Sequence, residues 1–230
     1  MAPPRQARAD RILDAAADLM LRWGYQRVTI EDVADHAGIG KGTIYLHWPT
    51  REALFRGAIE RELAAAIEDV LAELKTAPEA ALIHRLARSH FLSIMRRPLL
   101  HALFAADLGV LGKLVKSNQA LQGRLRQAIG DYTRLLVERG LVRGGMTPAE
   151  VVYTLRAMAG GFFVSESSPL ADPGIAVERK AELLSEAVER AFAPATPPPA
   201  EAVQAVWPLA VQVFADIAGW YRARLQPAYE

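Results

Sequence analysis

The chain has 230 residues and no cysteine, so disulfides and thiolate metal sites are excluded and a reducing compartment suits it. It also lacks an excess of either charge. Lys and Arg number 27 against 26 Asp and Glu, a formal net charge of +1, so any attraction to nucleic acid has to come from a local patch. β-Branched residues are sparse outside Val28, Thr29 and Ile30, and no stretch alternates as a half-buried strand would. No uninterrupted apolar run approaches the roughly 20 residues of a membrane span. Residues 1–10 hold prolines and arginines where a secretory signal would be apolar. A cytoplasmic protein without membrane contact is expected. Enzyme signatures are missing too: there is no H-E-x-x-H, no G-x-S-x-G and no cysteine nucleophile. The glycines of Gly38-Ile39-Gly40-Lys41-Gly42-Thr43 do not make a phosphate-binding loop, because Gly42 separates the lysine from the hydroxyl residue. His84, His90, His101, Asp107 and Glu166 follow no metal-ligand or catalytic spacing. No catalytic residue, metal or cofactor is assigned.

What is abundant is alanine, leucine, arginine and glutamate, good helix formers, and the expectation is an all-α chain. Ile12, Leu13, Ala16, Leu19 and Met20 recur at helical spacing and predict a first amphipathic helix over residues 6–23, stopped by Gly24. Arg5 and Arg8 precede or begin it, as an unordered tail or a minor-groove arm. Thr29 with Asp32 three residues on is a helix-start pair, with Ile30, Val33, Ala34 and Ala37 as the apolar side of a short second helix. Gly38 supplies a turn, and a third helix is predicted from Gly40 or Lys41 to Trp48. Pro49 ends it and Thr50 caps a long fourth helix reaching Leu74. Further helices are predicted over residues 79–96, 99–108 and 120–139, over one starting at Thr147-Pro148-Ala149-Glu150, and over 177–193. A proline-rich connection at 194–199 leads to a last helix over 201–225.

Two short helices around a glycine turn in residues 29–48 have the geometry of a DNA-reading helix-turn-helix. The second helix of such a pair buries one side and offers donors to phosphates and base edges on the other. Ile44 and Trp48, four apart, fit the buried side; Lys41, Thr43, Tyr45 and His47 fall outward. Gly42 removes bulk where the helix start meets the duplex, and the positive end of the helix dipole favours phosphate.

The run Ile39-Gly40-Lys41-Gly42-Thr43-Ile44-Tyr45-Leu46-His47-Trp48-Pro49-Thr50-Arg51-Glu52-Ala53-Leu54 resembles the recognition segment of TetR-family repressors, and Thr29-Ile30 and the helix upstream match as well. The resemblance implies a three-helix DNA-binding head at residues 1–52 and a larger helical effector-binding and dimerisation body at 53–230. It implies that Lys41, Gly42, Thr43, Tyr45, Leu46, His47 and Arg51 meet phosphates or bases, Leu46 through a thymine methyl, and that the amide and hydroxyl of Thr29 meet the backbone. Gly40 departs from the serine many relatives carry, which loses a side-chain contact but still caps a helix.

The resemblance also implies an effector pocket in the body, for a largely apolar small molecule that displaces the protein from DNA, and Phe91, Met95, His101, Phe104, Leu108, Tyr132, Met158 and Phe162 are the residues expected around it. The ordinary alternative is that they fill core. A homodimer is expected, since one recognition helix covers a half-site and two heads about 34 Å apart read successive major grooves of a pseudo-palindromic double-stranded operator. Val152, Leu155, Ala159, Phe163, Leu183, Leu184 and Val188 are the interface candidates, with Gly160 and Gly161 permitting close approach. The final helix, with Trp207, Phe214, Trp220 and Tyr221, lies beyond the family's usual end; it covers the pocket, extends the interface or pads the core. The rival to a regulator is a helical protein-interaction or small-molecule-binding module without DNA activity.

Overall fold

The computed structural model describes residues 4–105, 119–166, 168 and 174–229, and among them all regular structure is helical. The head comprises α1 (Pro4–Trp23), α2 (Ile30–Ala37) and α3 (Lys41–Tyr45), followed by the long α4 (Arg51–Leu74). Each start has a local cause. The Oγ1 of Thr29 accepts from the Asp32 amide while the Asp32 carboxylate accepts from the Thr29 amide, so two orphan donors at the start of α2 are satisfied reciprocally. Gly38 ends α2 in the left-handed region at φ 66°, where a side chain would be strained. Thr50 caps α4 by accepting from the Ala53 amide at 3.1 Å.

The body continues with a single 3-10 turn (Pro78–Ala81), α5 (Ile83–Met95), α6 (Pro98–Ala105), α7 (Gln119–Glu138), α8 (Pro148–Glu166), α9 (Val177–Phe192) and α10 (Ala200–Tyr229). The helix expected over 79–96 is thus split, because Leu82 is extended at ψ 140°. The third helix is shorter than expected, ending at Tyr45, although the amides of His47 and Trp48 still donate to the Ile44 carbonyl at 2.9 Å. The last helix is longer than expected and carries Pro208 and Pro227 inside it. Each proline removes a donor, and the packing of α10 outweighs that loss.

α4 is the spine: α1, α5 and α10 all pack on it, and α9 packs on α5, α8 on α6 and α7. Apolar burial is continuous from Ile12, Leu13 and Ile44 in the head through Leu54 and Phe55 to Phe91, Leu136, Leu184 and Phe192 in the body. Each such side chain contributes about 1.5–3 kcal/mol by leaving water, so head and body stabilise one another along α4. Gly57 on α4 allows the closest approach. A Cβ there would stand 2.8 Å from the indole Nε1 of the buried Trp48.

Among the described residues α10 alone is long and apolar enough to cross a membrane by length and composition. Here it lies along α4, and its Arg222 and Arg224 pair with Glu68 and Glu60 of that helix at 2.5 and 2.7 Å.

Candidate nucleic-acid interface

The predicted stripe of α1 is buried: Ile12, Leu13, Ala16, Leu19 and Met20 all face the core, as do Ile30, Val33 and Ala34 of α2. Against this scaffold α3 turns Ile44 inward, and Trp48 follows it. Facing outward are Lys41, Gly42, Tyr45, which is 46% exposed, and Leu46, which is 73% exposed, with Thr43 half-buried beside them. Two large side chains left in water at the tip of a helix are costly unless a partner covers them. The Nζ of Lys41 bonds Glu31 in the first turn of α2, an ion pair that raises the lysine pKa and lowers that of the glutamate. Gly40 caps α3 through its backbone only, with its carbonyl accepting from the Thr43 amide at 2.8 Å.

Three residues assigned to the duplex from the sequence are placed otherwise. His47 is 8% exposed, and its Nδ1 lies 2.6 Å from the carbonyl of Ala228 in the last turn of α10. It therefore faces the protein and not a groove. Arg51 is occupied inside the head: its guanidinium donates to the carbonyls of Val28, at 2.8 Å, and Tyr25, and lies over the Tyr25 and Phe55 rings at 4.3 and 4.9 Å. These bonds take the Nε–H and one Nη2–H of its five donors, so the head fixes the orientation of the guanidinium. Both donors of Thr29 go to the Asp32 carboxylate, amide at 2.8 Å and hydroxyl at 2.7 Å, which also holds the Asp32 pKa below its ordinary value. Conversely, Arg5 and Arg8 lie exposed on α1 and are not a tail, and the Arg5 Nη2 reaches the Leu46 carbonyl at 3.5 Å.

In the body Phe91, Phe104 and Phe162 do converge, around Phe163. Phe91 stacks on Phe163 at 5.2 Å, Phe104 lies 5.2 Å from it, and Phe162 meets Phe91 edge-on at 6.2 Å. His90, which the sequence reading set aside, joins the group 6.3 Å from Phe104 and 6.5 Å from Phe163. A little of its surface stays accessible, yet the ring is enclosed closely enough that burial pushes its pKa down to about 4. Met95 and Met158 pack on the same core half-buried, and the Nε2 of His101 is buried with no hydrogen-bond partner among the described residues. Tyr132 is anchored instead by its hydroxyl, which donates to the Ala81 carbonyl of the 3-10 turn. Leu108 lies outside the described residues.

The interface candidates divide similarly. Phe163, Leu184 and Val188 are buried within the chain itself, and Leu155 and Ala159 pack on the core, so none of the first three can meet a partner. Consecutive residues on a helix point about 100° apart, so only one of Phe162 and Phe163 could occupy the centre, and the sequence alone does not say which. The open face of α8 carries Tyr153, at 75% exposure, with Ala157, Gly161 and Val164.

Residues 12–58 match the model of the bacterial regulatory proteins of the tetR family, a span that starts on α1 and ends at Ala58 on α4. The head is thus similar to the DNA-binding heads of that family. A helix-turn-helix transcriptional regulator of Mycobacterium bovis is 31% identical over 70 residues, 30% of this chain and 37% of that protein. The likeness to that curated relative thus spans little more than a third of its length. Two solved structures share the fold over most of the chain. The fatty acid degradation regulator FadR of Bacillus halodurans has a TM-score of 0.65 at 16% identity, covering 82% of this chain and 96% of that one. FadR of Bacillus subtilis, solved with stearoyl-CoA, has a TM-score of 0.60 at 18% identity, covering 78% and 96%. A small helical head with an all-α body behind it is therefore a fold that this chain shares with these two proteins.

Proposed function

We propose that this protein is a DNA-binding transcriptional regulator of the TetR family, a repressor acting in the cytoplasm that is released from a pseudo-palindromic operator by a small-molecule effector. The observation that carries the reading is the outward set Lys41, Gly42, Thr43, Tyr45 and Leu46 at the tip of a head whose other face is buried. A protein-only module would have no need of a cationic, glycine-opened helix start next to exposed tyrosine. The head-to-body boundary falls inside α4, since that helix is unbroken from Arg51 to Leu74 and the family match ends within it. The protein works as a regulator and not as a catalyst.

Two copies are needed to read two half-sites. The open face of α8, Tyr153, Ala157, Gly161 and Val164, with Leu183 and Ala187 of α9, supports a symmetric helical interface in place of the inward residues. The aromatic group around Phe163, with the Nε2 of His101 buried and without a hydrogen-bond partner among the described residues, supports an apolar effector carrying one polar group. That B. subtilis FadR was solved with stearoyl-CoA accords with this chemistry.

Selection of bound duplexes from a random pool tests the reading, followed by titration in rising salt. Binding is expected to weaken steeply with salt, and Tyr45→Ala and Lys41→Ala each to cost about 1–3 kcal/mol of operator affinity, with helicity and dimer intact. Failure to enrich any duplex, or wild-type affinity in both variants, overturns it.

A further inference from the structure

The segment that reads DNA is joined to the far end of the chain. His47 lies two residues past the end of α3, and its ring meets the carbonyl of Ala228, 181 positions later. A carbonyl in the last turn of a helix lacks an intrahelical amide partner, and that end of the helix carries the negative pole of the dipole, so a ring N–H is a suitable cap. One residue further, the hydroxyl of Tyr229 donates to the Asp10 carboxylate of α1 at 2.9 Å; burial, then that contact, pushes its pKa up to about 12. Behind these contacts Arg224 pairs with the nearly buried Glu60 and Arg222 with Glu68, both on α4. At the other end of α10 the indole of Trp207 donates to the carbonyl of Leu74, the last residue of α4, at 2.5 Å.

The helix thus grips the spine along its length and also reaches the head, at Asp10 of α1 and at His47 beside the recognition segment. Leu225 and Ala228 near its tip are buried as well. The core alone would hold α10 on α4. The contacts of Ala228 with His47 and of Tyr229 with Asp10 are made to the head, and their loss would leave the apolar packing of α10 in place.

We propose that α10 is a strap whose last turn, through Ala228 and Tyr229, positions the recognition segment by way of His47 and Asp10, so that operator affinity depends on a helix that never touches DNA. The proposal rests on the DNA-binding reading of α3. His47 is a positioning residue in it: movement of α10 relative to α4 is felt at α3 directly, without passing through α1 or α2.

The test measures amide hydrogen exchange and duplex binding on the full chain and three variants. His47→Phe keeps a ring and removes the donor, Tyr229→Phe removes only the hydroxyl, and a chain ending at Gln226 removes the strap's tip. Exchange in residues 39–50 is expected to rise about tenfold in His47→Phe and in the shortened chain and about threefold in Tyr229→Phe, while residues of α5 exchange as before. Affinity for a duplex selected by the wild-type protein should fall about tenfold in the first two, with less than about a twofold change for a scrambled duplex and an unaltered salt slope, because register is lost and phosphate contacts are kept. Unchanged exchange in residues 39–50 overturns the strap, and faster exchange with unchanged specific affinity overturns its role in binding. If no duplex is selected by the wild-type protein, the DNA reading falls, and exchange alone still decides whether the strap holds the segment.

Discussion

At Gly57 a missing methyl group decides how closely α4 approaches the head. Replacement by alanine gains about 1 kcal/mol of helix propensity but drives a Cβ to 2.8 Å from a rigid, buried indole. We expect Gly57→Ala to destabilise by about 1–2 kcal/mol net, seen as a lower midpoint in urea unfolding with an unchanged slope. His90 acts through protonation. Its pKa in the fold is about 4 because burial disfavours the cation, so between pH 6.5 and 4 the unfolded chain binds the proton that the folded one refuses. Stability is therefore full above pH 6.5 and is lost as pH falls through that window, by on the order of 3 kcal/mol. Thermal melts from pH 7 to 4 should show a flatter acid limb in His90→Leu than in the wild type; parallel limbs would sink the assignment. Neither residue could be singled out from the sequence. A glycine in a helix and a histidine among apolar residues acquire meaning only from neighbours that are distant in the chain.

Among the elements, helix starts were the most legible. The Thr147 and Glu150 pair forms as expected: the Thr147 amide donates to the carboxylate at 2.7 Å and its hydroxyl accepts from the Glu150 amide at 3.3 Å, which holds the Glu150 pKa down. Thr147→Ala should cost about 1 kcal/mol, checked by unfolding, because the cap is exposed and contributes little else. The seam between α4 and α10 was not legible. Glu60 is 7% exposed, and burial raises its pKa against the pull of Arg224. Removing Arg224 would strand a carboxylate: we expect Arg224→Ala to destabilise by about 2 kcal/mol, less than a fully buried pair because the arginine stays partly solvated. Glu60→Gln in the same chain should recover much of the loss, whereas no recovery would show that the arginine acts by packing alone.

For the molecule as a whole, the open face of α8 makes assembly testable. Ala157→Glu places a charge in the middle of the proposed two-fold contact, and sedimentation should show a monomer with unchanged helicity and operator affinity lowered at least tenfold. A dimer that persists would move the interface elsewhere. The sequence by itself determined the all-α class, the helix starts at Thr29, Thr50 and Thr147, the buried stripe of α1 and the place of the helix-turn-helix pair. Each of these is written in residues within one or two turns of one another, where caps and helical period act. Only the tertiary structure decided that His47 and Arg51 turn inward, that Phe163 is buried at the centre of an aromatic group, and that α10 reaches back to the head. Those outcomes depend on which surfaces meet: the contact between His47 and Ala228 joins residues 181 positions apart, beyond the range of any local pattern.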